Sequence, residues 1–247
     1  MGKYLVIIPT YNEIDNVRAI IEAALAQGPL FEVLIIDDNS PDGTADVVKE
    51  MMSSFPDRIH LLQRSGKLGL GTAYIAGFKK ALELNATHIF EMDADFSHNP
   101  KDLNRLLQPL LEGKADVSVG SRYVKGGGIK NWPWDRLMLS YGASLYVRFI
   151  TWLPVKDSTA GFICYRANVL RSIPLDKITF VGYAFQIEMK YAAVQNGFTI
   201  TEVPIVFADR EKGKSKMHSG IISEAIKGVL SLRMRGFSDY YKQKQKD

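Results

Sequence analysis

The sequence predicts an α/β protein: a mostly parallel β-sheet covered by helices on both faces. Short apolar runs such as "YLVII", "EVLIID", "THIFEMD" and "DVSVGS" recur along the chain, each bounded by turn-forming residues. Between them lie longer stretches whose apolar residues repeat at helical spacing. Strands buried on both faces and alternating with amphipathic helices form parallel sheets with helices packed above and below.

The elements follow in order. "YLVII" is a buried strand ending at Pro9, and residues 13–27 form a helix in which Ile14, Val17, Ile21 and Leu25 share a face, with Gly28 as its stop. "EVLIID" is the second strand, then the turn "DNSPDG" and a helix over 44–54. "IHLL", the helical "TAYIAGFKKALEL", "THIFEMD", a helix over 100–112 and "DVSVGS" continue the alternation. After Gly120 the rhythm changes. The loop "KGGGIKNWPWDR", rich in glycine and bearing tryptophan, leads into a helix over 137–152; the strands "GFICY", "FTITEV" and "IVFAD" follow, with the helix "YAFQIEMKYAAVQNG" between the first two. No repeat, low-complexity block or linker interrupts the pattern, which reads as one domain over 1–235 with a basic tail over 236–247.

The 247 residues, 46% hydrophobic and 23% charged, are enough to bury a full core. The single cysteine, Cys164, excludes a disulfide framework and a thiolate metal site, so any metal sits on oxygen or histidine ligands. The N-terminal "MGKYLVIIP" is too short for a signal peptide, and Val6 breaks the myristoylation pattern; the chain is expected in the cytosol. Residues 137–155, the most apolar long segment, carry Ser140, Ser144 and Arg148, and are expected to lie on a bilayer rather than to cross it.

Parallel sheets bind ligands beyond the carboxyl ends of their strands. That rim receives "PTYNE" after the first strand, "IDDNSPDGT" after the second and "EMDADFSH" after the fourth. In the last, Asp93 and Asp95 point at one region of space, and their repulsion falls when a divalent cation sits between them. The competing reading is a strand-end turn in which Asp95 caps the helix near Pro100. Tyr11 offers a ring to a base, and Glu13 and Asp38 accept hydrogen bonds from ribose or base amines; the competing readings are a helix cap at Asn12 and an Asx-turn at Asp42. "GLGTAY" has Tyr74 where a dinucleotide fingerprint needs glycine, and "VFADREKGKS" has Ala208 where a P-loop needs its first glycine.

The segments "PTYNE", "IDDNSPDGT", "MDADFSH", "GSRY" and "DREKGKSK", with "STAGF" and "GYAFQIEM", resemble in order the family-2 glycosyltransferases of GT-A fold, from residue 4 to about 232. Among these they resemble the dolichol-phosphate (polyprenol-phosphate) mannose synthases. The resemblance implies that Pro9, Tyr11, Glu13, Ile36 and Asp38 hold the guanosine, and that Asp93, Ala94 and Asp95 bind the diphosphate and an Mg²⁺ or Mn²⁺ ion. It implies that Arg122, Arg210 and Lys216 contact the diphosphate or sugar phosphate, and that Arg136 and Ser140 meet the acceptor phosphate. Ser97 stands where some relatives carry Gln, which puts a third protein ligand to the metal in question.

The implied reaction is inverting transfer of mannose from GDP-mannose to dolichyl or polyprenyl phosphate, giving a β-linked product and GDP, with Asp93, Asp95, Arg122 and Arg136 as the catalytic set. A phosphate monoester is largely dianionic at neutral pH, with a second pKa of about 6, so no general base is required. Asp157 in "KDSTAGF" is the best candidate for a base and otherwise caps the turn into "GFICY". Peripheral contact with the cytoplasmic face of a membrane, through C-terminal membrane-facing helices or small membrane subunits, follows from the lipid acceptor. In the helix over 137–152 the stripe Leu137, Tyr141, Leu145, Phe149 is expected against lipid or core, and so is Ile222, Ile226, Val229 further on. No nucleic-acid partner is expected. The alternatives are a UDP-glucose donor on the same fold and a non-catalytic, nucleotide-sugar-binding membrane adaptor.

Overall fold

The structure is a computed structural model that describes residues 2–182, 184–208, 220–236 and 239–242, with the side chains of 220–227 and 239 outside that description. Apolar runs near the N-terminus become β1 (Tyr4–Thr10) and β2 (Phe31–Asp37), which pair in parallel so that Thr10 lies beside Asp37. In sequence order there follow β3 (Ile59–Gln63), β4 (His88–Glu91), β5 (Val117–Ser121), β7 (Ile163–Arg166) and β8 (Ile200–Pro204). These seven form one sheet, ordered β3-β2-β1-β4-β7-β5-β8. One strand departs from the parallel expectation: β7 runs antiparallel to both β4 and β5. The segment before it, "STAGF", thereby approaches the strand-end rim.

Alternation within β1 divides the core. Leu5 and Ile7 pack on one face with Leu34, Ile36, Phe78 and Phe185; Val6 and Ile8 pack on the other with Val17, Ile20, Val33 and Leu106. Helices α1 (Ile14–Leu25), α2 (Thr44–Ser54) and α4 (Leu103–Leu111) cover the second face; α3 (Leu70–Glu83), α6 (Ala167–Ser172) and α7 (Ala184–Gln195) cover the first. Gly77 lets α3 approach closely, since a Cβ there would stand 2.7 Å from Ile7 Cγ2.

Two further elements build a wall beside the rim. The glycine-rich loop yields β6 (Gly128–Lys130), paired in parallel with β9 (Val206–Ala208) as a separate two-stranded ribbon. A Cβ on Gly127 would meet the Ser121 carbonyl oxygen at 2.5 Å, so glycine is what allows the loop to lie against the end of β5. Helix α5 (Trp134–Thr151) starts earlier than predicted and packs against α8 (Gly220–Gly236). Beyond α8 the chain makes a 3-10 turn, Asp239–Tyr241, whose buried Tyr241 hydroxyl donates to Glu188 at 2.9 Å. Tyr241, which lies in the stretch read as a basic tail, is thus part of the core.

The outward face of α5 is apolar. Trp134, Met138, Tyr141, Leu145, Phe149 and Trp152 follow one another at steps of three and four residues, and all are exposed; Trp134 is 77%, Phe149 80% and Trp152 74% accessible. Its inward face buries Ser144, Val147 and Thr151. This inverts the pattern of a helix on a soluble core, where the apolar stripe points inward. For the second predicted stripe the result is opposite: Val229 is buried in the core, while the side chains of Ile222 and Ile226 lie outside the described residues.

Candidate active site

The carboxyl ends of β1, β2, β4 and β5 converge on one rim, and the first two loops there hold each other. Asp37 accepts from the Thr10 hydroxyl at 3.0 Å and from the Ser40 hydroxyl at 2.6 Å. The amides of Asn12, Glu13 and Ile14 donate to Ser40 Oγ, Thr44 Oγ1 and Asp42 Oδ2 at 3.0 to 3.1 Å. Asp42 makes the Asx-turn to the Thr44 amide and also caps α1, a role the sequence reading gave to Asn12. Burial alone would raise the Asp42 carboxyl, but hydrogen bonds from Thr44 and Ile14 hold it below its ordinary value.

Among the residues expected to hold a nucleoside, Pro9, Tyr11 and Glu13 are partly exposed on this rim. Lys67, from the loop before α3, lies over the Tyr11 ring at 5.0 Å, a neighbour the sequence did not reveal. Asp38 is buried and held in bidentate fashion by Arg64, Nε to Oδ1 at 2.6 Å and Nη2 to Oδ2 at 2.7 Å. Arg64 also donates to Thr72, so this pair ties the second loop to α3. Ile36, expected beside the nucleoside, has its side chain fully buried in the core beneath α3.

The third loop carries Asp93, Ala94 and Asp95. Asp95 is buried, and its Oδ1 accepts the Ser97 amide at 3.0 Å and the Ser97 hydroxyl. Phe96 between them adopts a left-handed backbone, φ 60°, unusual for a bulky residue and found where a turn is held by its surroundings. The cap of the following helical turn is Asn99, not Asp95. Asp93 is more open, and its amide donates to His98 Nδ1 at 3.2 Å. Burial lowers the His98 pKa despite the neighbouring carboxylates, which keeps the ring neutral and Nδ1 an acceptor.

Behind the rim lies a buried polar cluster the sequence did not disclose. Glu91 accepts from Tyr165 at 2.8 Å and from Gln186 at 2.5 Å, and burial pushes its carboxyl up to about 7. The Lys190 ammonium donates to the carbonyls of Ser158, Ala160 and Gln186 at 2.7 to 3.1 Å. Tyr74 has a hydroxyl with no hydrogen-bond partner among the described residues; burial first, then Asp93, Glu91 and Asp95, push its pKa far up. Negative potential thus concentrates around Asp93 and Asp95. Among the described residues no third His, Cys, Asp or Glu completes a metal-sized group. Two carboxylates fit a Mg²⁺- or Mn²⁺-like ion that takes its remaining oxygens from phosphates and water.

Arg122 leaves the end of β5 and is anchored rather than extended. Its Nε and Nη2 grip Asp157 at 2.7 and 2.6 Å, Nη2 also reaches Thr159 at 2.9 Å, and its amide donates to Asp157 at 2.9 Å. Only Nη1 makes no hydrogen bond among the described residues, so any contact of Arg122 with a ligand runs through that edge. Asp157 is fully buried and held by this pair; it neither caps a turn with its side chain nor faces a substrate as a base. Arg136 stacks over Trp132, 3.9 Å from the ring centroid, and Ser140 accepts from the Tyr123 hydroxyl at 2.8 Å, which leaves the Ser140 proton free to donate. Arg210 and Lys216 lie outside the described residues.

A model of the family described as Glycosyl transferase family 2 matches residues 5–174. The chain is 46% identical over 237 residues to the polyprenol monophosphomannose synthase of Mycolicibacterium smegmatis, covering 96% of this chain and 89% of that one. It is 45% identical over 227 residues to the undecaprenyl-phosphate mannosyltransferase of Micrococcus luteus, with 92% of each covered. Among solved structures, glucosyl-3-phosphoglycerate synthase from Mycobacterium tuberculosis, in complex with Mn²⁺, UDP and glucosyl-3-phosphoglycerate, shares the fold with a TM-score of 0.65 at 16% identity, over 95% of this chain and 80% of that one. The chain belongs to glycosyl transferase family 2 and is a glycosyltransferase built on the GT-A fold.

Proposed function

We propose that the protein transfers mannose, with inversion, from GDP-mannose to a dolichyl- or polyprenyl-type phosphate, releasing GDP and a β-linked mannosyl phospholipid. The observation that carries this reading is the placement of Arg136 and Ser140 in the first two turns of α5, the helix whose outer face is apolar. One helix thus offers a cation and a hydroxyl to a phosphate and a hydrophobic face to the chain behind it. The likeness to two enzymes named for polyprenol and undecaprenyl-phosphate mannosyl transfer supports the same acceptor class.

In this reading Tyr11, Glu13 and Pro9 line the nucleoside pocket, while Asp38 holds its wall through Arg64. Asp93 and Asp95 hold a Mg²⁺ or Mn²⁺ ion, which when bound neutralises the diphosphate and stabilises charge on departing GDP. Arg122, fixed by Asp157, directs its remaining edge at a phosphate; Arg136 and Ser140 orient the acceptor. The acceptor arrives as a dianion and attacks without a base, consistent with an Asp157 that is locked away. Arg210 and Lys216 are assigned to the diphosphate on resemblance alone.

The enzyme is proposed to work at the cytoplasmic face of a membrane, by itself or beside small membrane subunits. Among the described residues no helix is long and apolar enough to cross a bilayer. Contact instead runs through α5 lying in the interface. Vesicle flotation tests this. The protein should float with anionic vesicles, and Leu145→Asp combined with Phe149→Asp should abolish flotation without lowering the melting temperature, because both side chains are exposed. Equal flotation of the double variant, or none by the wild type, removes direct membrane contact from the proposal.

A further inference from the structure

Trp132 sits at the centre of a stack joining the two arginines of the site. Its ring is 3.9 Å from the Arg136 guanidinium carbon and 5.6 Å from that of Arg122. Phe207 of β9 meets it edge-on, with centroids 5.6 Å apart. Phe207 in turn lies against His98, also at 5.6 Å, and His98 accepts the Asp93 amide. The ribbon fixes this order, since Ile129 pairs with Phe207, and the Ala208 amide reaches the Ser97 carbonyl at 3.4 Å. A continuous line of rings therefore runs from the backbone of the Asp93 loop to the guanidinium of Arg136.

The indole Nε1–H is buried and has no hydrogen-bond partner among the described residues, so the ring is held by packing and presents its face as the working surface. An arginine with four rotatable bonds loses rotamer freedom when it grips a phosphate, and a stacked one has lost much of it beforehand. We infer that Trp132 is a positioning residue for the acceptor phosphate: its ring preorganises Arg136 and sets that guanidinium in register with the donor-side loop through Phe207 and His98. This rests on the reading above that Arg136 meets the acceptor phosphate. It adds a residue that touches neither substrate yet controls the affinity for one of them.

The test is steady-state kinetics with GDP-mannose and a short-chain polyprenyl phosphate in detergent. Trp132→Leu should raise the acceptor KM roughly ten-fold, the size of a partly desolvated cation–π contact, while the donor KM and melting temperature stay at wild-type values. Because no hydrogen bond of the indole is lost, Trp132→Tyr and Trp132→Phe should restore acceptor KM in that order. In an Arg136→Ala background Trp132→Leu should have no further effect on the acceptor KM. An unchanged acceptor KM, an equal rise in donor KM, or effects that add to those of Arg136→Ala would overturn the inference while leaving the proposed reaction standing. Wild-type protein that transfers no mannose to the lipid phosphate would overturn that reaction, and this inference with it.

Discussion

Replacing Asp95 by Asn is expected to lower transfer by roughly 10² to 10³-fold or more, the scale associated with losing one charge-stabilising group from a transition state. The fold should be unaffected. Asn is isosteric with Asp, and its Oδ1 can continue to accept the Ser97 amide that Asp95 accepts at 3.0 Å. What disappears is one of two negative charges at the rim, in front of the buried Glu91 and of a Tyr74 hydroxyl that has no hydrogen-bond partner among the described residues. Turnover, circular dichroism and melting should be measured together, with and without a chelator. Near-wild-type turnover in Asp95→Asn, or full wild-type activity in chelator, would take the divalent ion out of the account.

A second large effect is expected at the Arg122–Asp157 pair. Its side chains are 9% and 0% exposed, so removing either partner strands a charge out of water. Asp157→Leu or Arg122→Met alone should cost about 3–5 kcal/mol, which at about 2–4 °C per kcal/mol for a chain of this size is a fall of roughly 6–20 °C in melting temperature. The double variant should regain most of that stability, because apolar replacement of a whole buried pair is often neutral. If Arg122 works only as structure, the double variant will also regain transfer. The account predicts that it will not: stability returns and transfer stays at least a hundred-fold down, consistent with loss of a charged contact in the transition state.

Much of this architecture can be read from the chain. Runs such as "YLVII" and "VLII" are apolar at every position because β1 and β2 bury both faces, so periodicity alone distinguishes them from surface strands. The rim loops are legible for the same reason: polar residues at the end of such a run have nowhere to go but the ligand edge. Strand direction is not legible. The four residues of β7, "ICYR", carry no mark of running antiparallel, and the three-residue strands β6 and β9 are too short for any periodicity. Nor does a stripe say what it faces, which is why α5 and α8 resemble each other in sequence while one turns its apolar residues outward and the other buries Val229 and Leu232. Partners distant along the chain are silent as well: Arg64 is 26 residues from Asp38, and Lys190 is 32 and 30 from the Ser158 and Ala160 carbonyls it ties. Nor does a resemblance carry side-chain direction: position 36 borders the rim, and the Ile36 side chain points into the core.

The central claim is that a nucleotide-activated mannose is moved onto a lipid phosphate. Purified protein incubated with Mg²⁺ or Mn²⁺, polyprenyl phosphate and either GDP-[14C]mannose or UDP-[14C]glucose tests it most directly, with the label followed into an organic extract. The account predicts that label enters the organic phase from GDP-mannose and not from UDP-glucose, that one GDP is released for each sugar transferred, and that the sugar is β-linked to phosphate. Label entering only from UDP-glucose would contradict the donor; no organic-extractable label from either, with the donor intact, would contradict the claim itself.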